Sequence, residues 1–436
     1  GGLGHLSIEP YDLGVEGRHG AIMAAKDRKC NTCSNKIYRD CKTGLCRNCL
    51  DTSRQIQPPV MIPIDERVNH EKLVSRLRED NQSLRRDYDH VIKRLNTEDR
   101  ILDMFGSSIR AFPSFGHAKL DKKIVKTPST SDHYETPLLL ISDQQIGEEI
   151  TFEETYGINA YNFQVFLSRL ELLEDRTLDI LNNHQRADFN KLVVASLGDN
   201  ISGRIHIELQ KYGHQHVIDQ IYVGALAMAM FLYRLAKFGK FQEIEVNCVS
   251  GNHGRLDKEK ESKRYYKNFD YLFHSIMALA LKNVPQIKFN IPQCLFLMAN
   301  VAGHNVLVSH GHELPPSSLG IPLYSINRAS ASYQELISLS GRDRFSYWIM
   351  GHYHRPLELD GKFVNGTMAG LSEFGIGKFK PILPMQRMMG FHSKWGRAWE
   401  YPIRLDKSNE APQVYTFTAD MTTNDALDAF NDGIKI

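Results

Sequence analysis

Five short segments, spread over more than two hundred residues, each end an apolar run with side chains that bind metals. In chain order they read LLLISDQQIG, VVASLGDN, VNCVSGNHG, VLVSHGH and YWIMGHYH. Each begins with the β-branched, apolar stretch typical of a buried strand and breaks at Gly, Asp, Asn or His. Because strand ends meet at one edge of a sheet, distant parts of a chain can build a single site there. The pattern predicts an α/β fold with a metal site at a sheet edge.

The candidate ligands combine carboxylate, carboxamide and imidazole groups. Together these groups suit two hard or borderline divalent ions that share one carboxylate. A lone strand histidine such as His310 is more often part of a core than a ligand, but five ligand-bearing strand ends favour the metal site. The predicted metal ligands are Asp143, Gln145, Asp199, Asn252, His310, His352 and His354.

The ordered motifs resemble the calcineurin-like metallophosphoesterase superfamily, whose usual pattern is D-x-H, G-D, G-N-H-D/E, H and G-H-x-H. The resemblance covers residues 136–405, and the runs GDNISGRIH and GNHGR are similar to the phage-encoded branch. Two positions depart from the pattern. Gln145 stands where it has a histidine, although a glutamine oxygen still binds Mn²⁺ or Mg²⁺. Gly254 stands where it has a carboxylate, which leaves His253 without its usual orienting partner.

The resemblance implies two packed mixed sheets flanked by helices. It also implies that Asp199 is shared by two cations, one held further by Asp143, Gln145 and His354, the other by Asn252, His310 and His352. The expected metal is Mn²⁺, with Mg²⁺, Fe and Zn²⁺ as alternatives. A metal-bridging hydroxide would attack phosphorus in line. The expected catalytic residues are Asp199, Asn252 and His253, with His253 as proton donor or phosphate contact.

Four further residues near the motifs are candidates for substrate binding. Asn200 follows the shared aspartate on the same turn. Arg204 and Arg255 follow glycine-containing turns and could meet phosphate, although solvated surface arginines are equally common. His312, in SHGHEL, is open to a supporting or structural role as well.

The N-terminal region predicts a small zinc module over residues 26–56. The spacing C-x₂-C-x₁₂-C-x₂-C is typical of a tetrahedral site for one structural Zn²⁺, and Cys41 is an alternative to Cys46. So small a module needs its metal to fold. Residues 1–25 predict a disordered leader or tag, or equally a native segment. The predicted zinc ligands are Cys30, Cys33, Cys46 and Cys49.

Residues 57–110 read as a proline-rich linker followed by a heptad-patterned helix over 65–105. A lone Asn81 among the apolar positions is a device that sets the register of a parallel dimer, so we expect a homodimer; a single helix packed on the catalytic domain is the alternative. The a positions are Val74, Asn81, Tyr88, Leu95 and Leu102, and the d positions are Leu77, Leu84, Val91, Glu98 and Phe105. A linker (111–135), a catalytic domain (136–410) and a C-terminal tail (411–436) complete the expected organisation.

Charge and composition bear on the function class. Residues 26–126 hold 22 Lys and Arg against 14 Asp and Glu, so a basic N-terminal half precedes an acidic catalytic part. No apolar run is long enough to span a bilayer, so we expect no membrane partner and a cytoplasmic protein, in the host cytoplasm for a phage-encoded one. The expected function is a phosphodiesterase or nuclease acting on DNA or RNA. The alternatives are a phosphomonoesterase acting on phosphoproteins or nucleotides, and an inactive nucleic-acid-binding scaffold.

Overall fold

The computed structural model describes residues 72–86, 134–185, 187, 189–205, 216–256, 265–314, 321–377 and 382–435. The leader, the zinc module with Cys30, Cys33, Cys46 and Cys49, the linkers and most of the heptad region lie outside these residues, so those assignments stay predictions. The chain divides into two units, residues 1–108 and 109–436, which are described separately.

In the first unit, residues 72–86 form a helix, α1. Within it the predicted d residues Leu77 and Leu84 are 58% and 67% exposed. A helix of this length is marginal in water without a packing partner. The exposed leucines are compatible with the predicted coiled coil, and the dimer itself stays a prediction.

The second unit contains two mixed sheets. The strands of the first are Glu135–Ile141 (β1), Lys191–Ser196 (β2), Glu243–Cys248 (β3), Ile287–Asn290 (β4), Met385–His392 (β10) and Gly396–Arg404 (β11). They follow the order β11-β10-β1-β2-β3-β4. Strands β1 to β4 run parallel, whereas β10 and β11 are antiparallel to their neighbours.

The second sheet is smaller and joins strands from the later part of the chain. They are Phe296–Val301 (β5), His304–Ser309 (β6), Tyr347–Met350 (β7), Leu357–Leu359 (β8) and Lys362–Val364 (β9), in the order β5-β6-β7-β9-β8. Strands β6, β7 and β9 are parallel. The predicted fold class, two mixed sheets flanked by helices, is confirmed.

The two sheets pack face to face through an apolar core. Leu138, Leu140 and Val193 of the first sheet share one buried cluster with Val306 and Ile349 of the second. Because side chains alternate along a strand, Leu139 and Val194 lie on the opposite face, where they are also buried. Central strands that are buried on both faces have continuous apolar sequences. This is why the sequence predicts these strands.

Helices flank the sheets. They are Phe163–Asp179 (α2), continued by a π-helical turn over Ile180–His184, Val217–Lys237 (α3), Phe269–Ala280 (α4), Leu323–Leu339 (α5), Glu373–Gly377 (α6) and Thr423–Gly433 (α7). Helix α3 has the length and hydropathy of a spanning helix, but 78% of that window is buried inside the protein. Its apolar surface is used in packing against α2, α4 and α7. Helix α5 covers the outer face of the second sheet, where Ile326 and Ile337 meet Trp348.

The C-terminal segment, expected as a tail over residues 411–436, contains a helix that is folded onto the domain. Helix α7 starts with a capping box between Thr422 and Asp425 and buries Leu427 and Phe430. Upstream of it, the Tyr415 hydroxyl donates a hydrogen bond to the buried Glu174 of α2. The apolar face of this short amphipathic helix packs against α3 and completes the helical layer.

Candidate metal centre

The five predicted motifs meet at one edge, in the loops that leave the C-terminal ends of β1, β2, β3, β6 and β7. Backbone hydrogen bonds join neighbouring loops: Asp143 N donates to Gly198 O and Gln145 N to Asp199 O, both at 3.0 Å. Across the two sheets, His352 N donates to the Asp143 carboxylate at 3.1 Å. The approach is so close that a Cβ on Gly351 would lie 2.6 Å from Asp143 Oδ2. The site therefore forms where the sheets converge.

The backbone at this edge is strained at the predicted ligands. Five of them adopt a left-handed conformation that side chains other than glycine rarely take, at a cost of about 1–3 kcal/mol each. Such strain persists only where surrounding contacts hold it, and it clusters at functional sites. The five residues, with φ between 47° and 68°, are Asp143, Gln145, Asp199, His352 and His354.

Asp199, His310 and His352 form one compact set of potential ligands. One ligand atom from each lies within 4.8 Å of the others, and His310 Nε2 is 3.0 Å from Asp199 Oδ2. His310 Nδ1 lies 2.6 Å from the Leu197 carbonyl. Since a carbonyl only accepts, Nδ1 carries the proton, and Nε2 is the atom that faces the carboxylate.

The atoms of this set fit a cation. Within the part of the chain that the structure describes, Asn252 Oδ1 is buried without a hydrogen-bond partner, and the buried Asp199 Oδ2 and His310 Nε2 have only each other, 3.0 Å apart. Buried polar atoms without partners are rare and costly. A divalent ion between two oxygens and an imidazole nitrogen would satisfy all three at once.

Asp143, Gln145 and His354 form the second set. His354 Nε2 lies 3.2 Å from Asp143 Oδ1 and 3.1 Å from the Gln145 amide nitrogen. The two ends of a carboxamide have nearly the same shape, so turning the Gln145 amide over presents its oxygen at the same place. Each of the predicted ligands is thus at the edge, and Asp199, the carboxylate expected to be shared, lies with the first set.

Electrostatics at the centre follow from burial and from these pairs. Burial disfavours an ionised Asp199, but the nearby charges of His310 and His253 outweigh it and hold the pKa of Asp199 well below its ordinary value. Burial lowers the pKa of His310, but Asp199 raises it more, to about 10. Burial and the neighbouring His310 hold the pKa of His352 well below its ordinary value, so this imidazole is neutral and can coordinate.

His253 is oriented by backbone contacts, since Gly254 provides no carboxylate beside it. Its Nδ1 lies 2.9 Å from the Ser202 carbonyl, and its backbone N–H donates to Asp199 Oδ1 at 2.7 Å. Position 254 has no room for a side chain, since a Cβ there would overlap Asn268 Oδ1. A backbone carbonyl therefore does the orienting in this chain.

The four candidate substrate contacts are placed differently. Arg255 is half-buried, and its Nε donates to the Asn252 carbonyl at 2.9 Å. The His312 ring lies 5.4 Å from that of His310. Arg204 is exposed in the loop after β2. Asn200 is fully buried, with its amide turned inward to Asp270 and Gln144, so its place favours a positioning role over substrate contact.

The chain matches no family model and no curated protein. Among solved structures it is similar to Vps29 from Entamoeba histolytica complexed with zinc, at 12% identity over 62% of this chain and 99% of that one, with a TM-score of 0.24. It is also similar to a dimetal phosphatase from Danio rerio, at 12% identity over 62% of this chain and 99% of that one, with a TM-score of 0.30.

Replacing Asp199 tests the metal centre directly. We expect the wild-type protein to bind two Mn²⁺ per chain beyond any cysteine-bound zinc. We expect Asp199→Asn to weaken the binding of both ions, because the predicted centre shares this carboxylate between the two sets. Equilibrium dialysis with metal analysis measures the stoichiometry. The exposed Asp420→Asn serves as control, and an Asp199→Asn variant that binds Mn²⁺ like the control would contradict the assignment.

Introducing a carboxylate at position 254 is expected to lower the stability of the protein. Gly254→Asp places a side chain against Asn268, whose Oδ1 caps α4, and loss of a cap costs about 0.5–2 kcal/mol. We expect a lower melting temperature in calorimetry. Gly377→Asp is the matched control, since no atom of the described residues lies within 4 Å of a Cβ there. Equal melting temperatures of the two variants would show that position 254 has room.

Proposed function

We propose that the chain is a metal-dependent phosphoesterase of the calcineurin-like metallophosphoesterase superfamily, acting as a phosphodiesterase on nucleic acid. The observation that carries the proposal is the meeting of five ligand-bearing strand ends, where the buried Asn252 Oδ1 has no hydrogen-bond partner and lies with the Asp199–His310 pair in the same set of potential ligands. Five ordered motifs that converge at one edge are far more specific than any one of them.

Two cations would be held by the residues described above, with Asp199 between them. When bound, such a pair lowers the pKa of a water molecule and neutralises charge on the phosphoryl oxygens. The chain's own contribution is to fix the cations in a buried, strained edge and to place His253 and Arg255 beside them.

His253 is placed to give a proton to the leaving oxygen. Its backbone is tied to Asp199 and its ring to Ser202, so the imidazole keeps its place relative to the cations. General acid catalysis contributes a factor of about 10² to 10⁴. The benefit is largest for an alkoxide leaving group, which departs poorly without a proton.

We therefore expect His253→Gln to lower kcat on a DNA or RNA phosphodiester by about 10² or more. The same variant should lose much less on bis-p-nitrophenyl phosphate, whose leaving group needs no proton, and should bind Mn²⁺ as the wild type does. Steady-state kinetics on both substrates, with metal analysis, measure this split. Equal losses on the two substrates would exclude the proton-donor role.

Nucleic acid is favoured as the substrate by the distribution of positive charge. Arg255 lies beside Asn252 at the centre, where a guanidinium can bind a phosphate in bidentate fashion. The basic balance of residues 26–126 suits the backbone of a polyanion. Binding a small phosphomonoester does not need a basic segment of this length.

Assays with added Mn²⁺ on labelled single- and double-stranded DNA and RNA test the substrate class. We expect cleavage of at least one polymer, lost on replacing Asp199, and a raised KM in Arg255→Ala with a smaller effect on kcat. Brisk release of phosphate from small monoesters without polymer cleavage would instead establish the phosphomonoesterase alternative. No turnover of either class would favour the binding scaffold.

A further inference from the structure

One buried carboxylate beside the metal centre belongs to none of the five motifs. Asp270 lies in the first turn of α4 and is 0% exposed. It comes more than seventy residues after Asp199 in the chain, yet it contacts the loops that follow both β2 and β3.

Both oxygens of Asp270 are fully used by the protein. Oδ2 accepts hydrogen bonds from Asp199 N at 2.9 Å and from Gly251 N at 2.7 Å. Oδ1 accepts from the backbone N of Asn200 at 3.1 Å and from its side-chain Nδ2 at 3.0 Å. Because four donors occupy this carboxylate, Asp270 is not available as a metal ligand. It instead holds the loops after β2 and β3 together, and we call this arrangement a clamp.

The clamp acts where the loops are pressed together. A Cβ on Gly198 would overlap Gly251 N, and a Cβ on Gly251 would overlap Asp199 Oδ1. Asp199 itself has a left-handed backbone with φ of 51°. The buried N–H groups of Asp199, Asn200 and Gly251 need an acceptor, and Asp270 supplies it to all three.

Asp270 is held in place in turn. Asn268 Oδ1 accepts from Asp270 N at 2.8 Å, and Asn268 Nδ2 donates to the Gly251 carbonyl at 2.8 Å. The N-terminal turn of a helix also favours a negative charge. The same charge opposes that of Asp199 a short distance away: burial, and then Asp199, raise the pKa of Asp270. Cations at the centre would relieve this repulsion.

We propose that Asp270 is a positioning residue for the metal centre: by clamping the two loops it sets the shared carboxylate of Asp199 and the neighbouring Asn252, and so controls how tightly the chain holds its cations. The inference rests on the proposed metal centre but not on the substrate. It concerns a residue that touches neither cation nor phosphate.

Asp270→Asn tests the clamp with little change in size. The amide keeps one oxygen, but its NH₂ group faces backbone donors that need an acceptor. Changes in residues that support metal ligands cost about 10–100-fold in affinity, so we expect Mn²⁺ affinity to fall at least tenfold in calorimetric titrations. The electron paramagnetic resonance signal of a coupled Mn²⁺ pair should weaken at Mn²⁺ concentrations that saturate the wild type.

The matched control is Glu174→Gln, which also removes a buried carboxylate. Glu174 binds Arg234 and Tyr415 in the helical layer and contacts no loop of the centre in the described structure. We expect this control to lose thermal stability while keeping wild-type Mn²⁺ affinity. Equal Mn²⁺ affinity in the two variants would overturn the proposal, because only a general loss of stability would then remain.

A second variant keeps the carboxylate and loosens its anchor. Asn268→Ala removes both side-chain bonds described above, and it decides the matter if Asp270→Asn does not fold. Folded Asn268→Ala with weakened Mn²⁺ binding supports the clamp, and wild-type binding overturns it. A wild-type protein that binds no Mn²⁺ outside the cysteine module would instead contradict the proposed function itself.

Discussion

Asp199 joins the two sheets through one buried carboxylate. Its Oδ2 lies 3.0 Å from His310 at the end of β6, while its Oδ1 accepts the backbone N–H of His253 from the loop after β3. An ionised carboxylate without partners is very costly to bury, so this residue is tolerable only when both sheets are in place. The face-to-face packing of the apolar core and the polar centre above it therefore depend on each other.

The loops around Asp199 are rigid because they are crowded, with no regular structure of their own. Gly198 and Gly251 allow two backbones to touch, and Gly351 does the same opposite Asp143. Side chains would not fit at these points, and the neighbouring ligands accept left-handed backbone as a consequence. Such crowding holds the ligand atoms close together: His310 Nε2 lies 3.0 Å from Asp199 Oδ2, and His354 Nε2 lies 3.2 Å from Asp143 Oδ1.

The parts of the fold that the sequence made predictable are those with a local signal. Strands β1, β2, β3, β6 and β7 are formed by the apolar runs that precede the five motifs. Helix α7 and the hairpin of β10 and β11 were missed, because α7 is only 11 residues long and polar residues interrupt the apolar ones in MQRMMGFH and GRAWEYPIR. At the site, the motif residues were identified together, whereas Asp270 was not. A single aspartate at a helix start resembles an ordinary capping residue, and only the tertiary structure shows which amides it binds. The inward orientation of Asn200 was hidden for the same reason.

The glycine at position 254 and the carboxylate at 270 belong to one arrangement. Asn268 occupies the space that a side chain at 254 would need, and from there it binds both Asp270 N and the Gly251 carbonyl. Position 254 thus has no carboxylate next to His253, and the space is used by the N-terminus of α4, whose Asp270 binds Asp199 N. His253 keeps its orientation through Ser202, whose loop is joined to the loop after β1 by the bond from Ser202 N to the Ile146 carbonyl. Gly254 removes a carboxylate that could orient His253, and the Ser202 carbonyl orients this histidine instead.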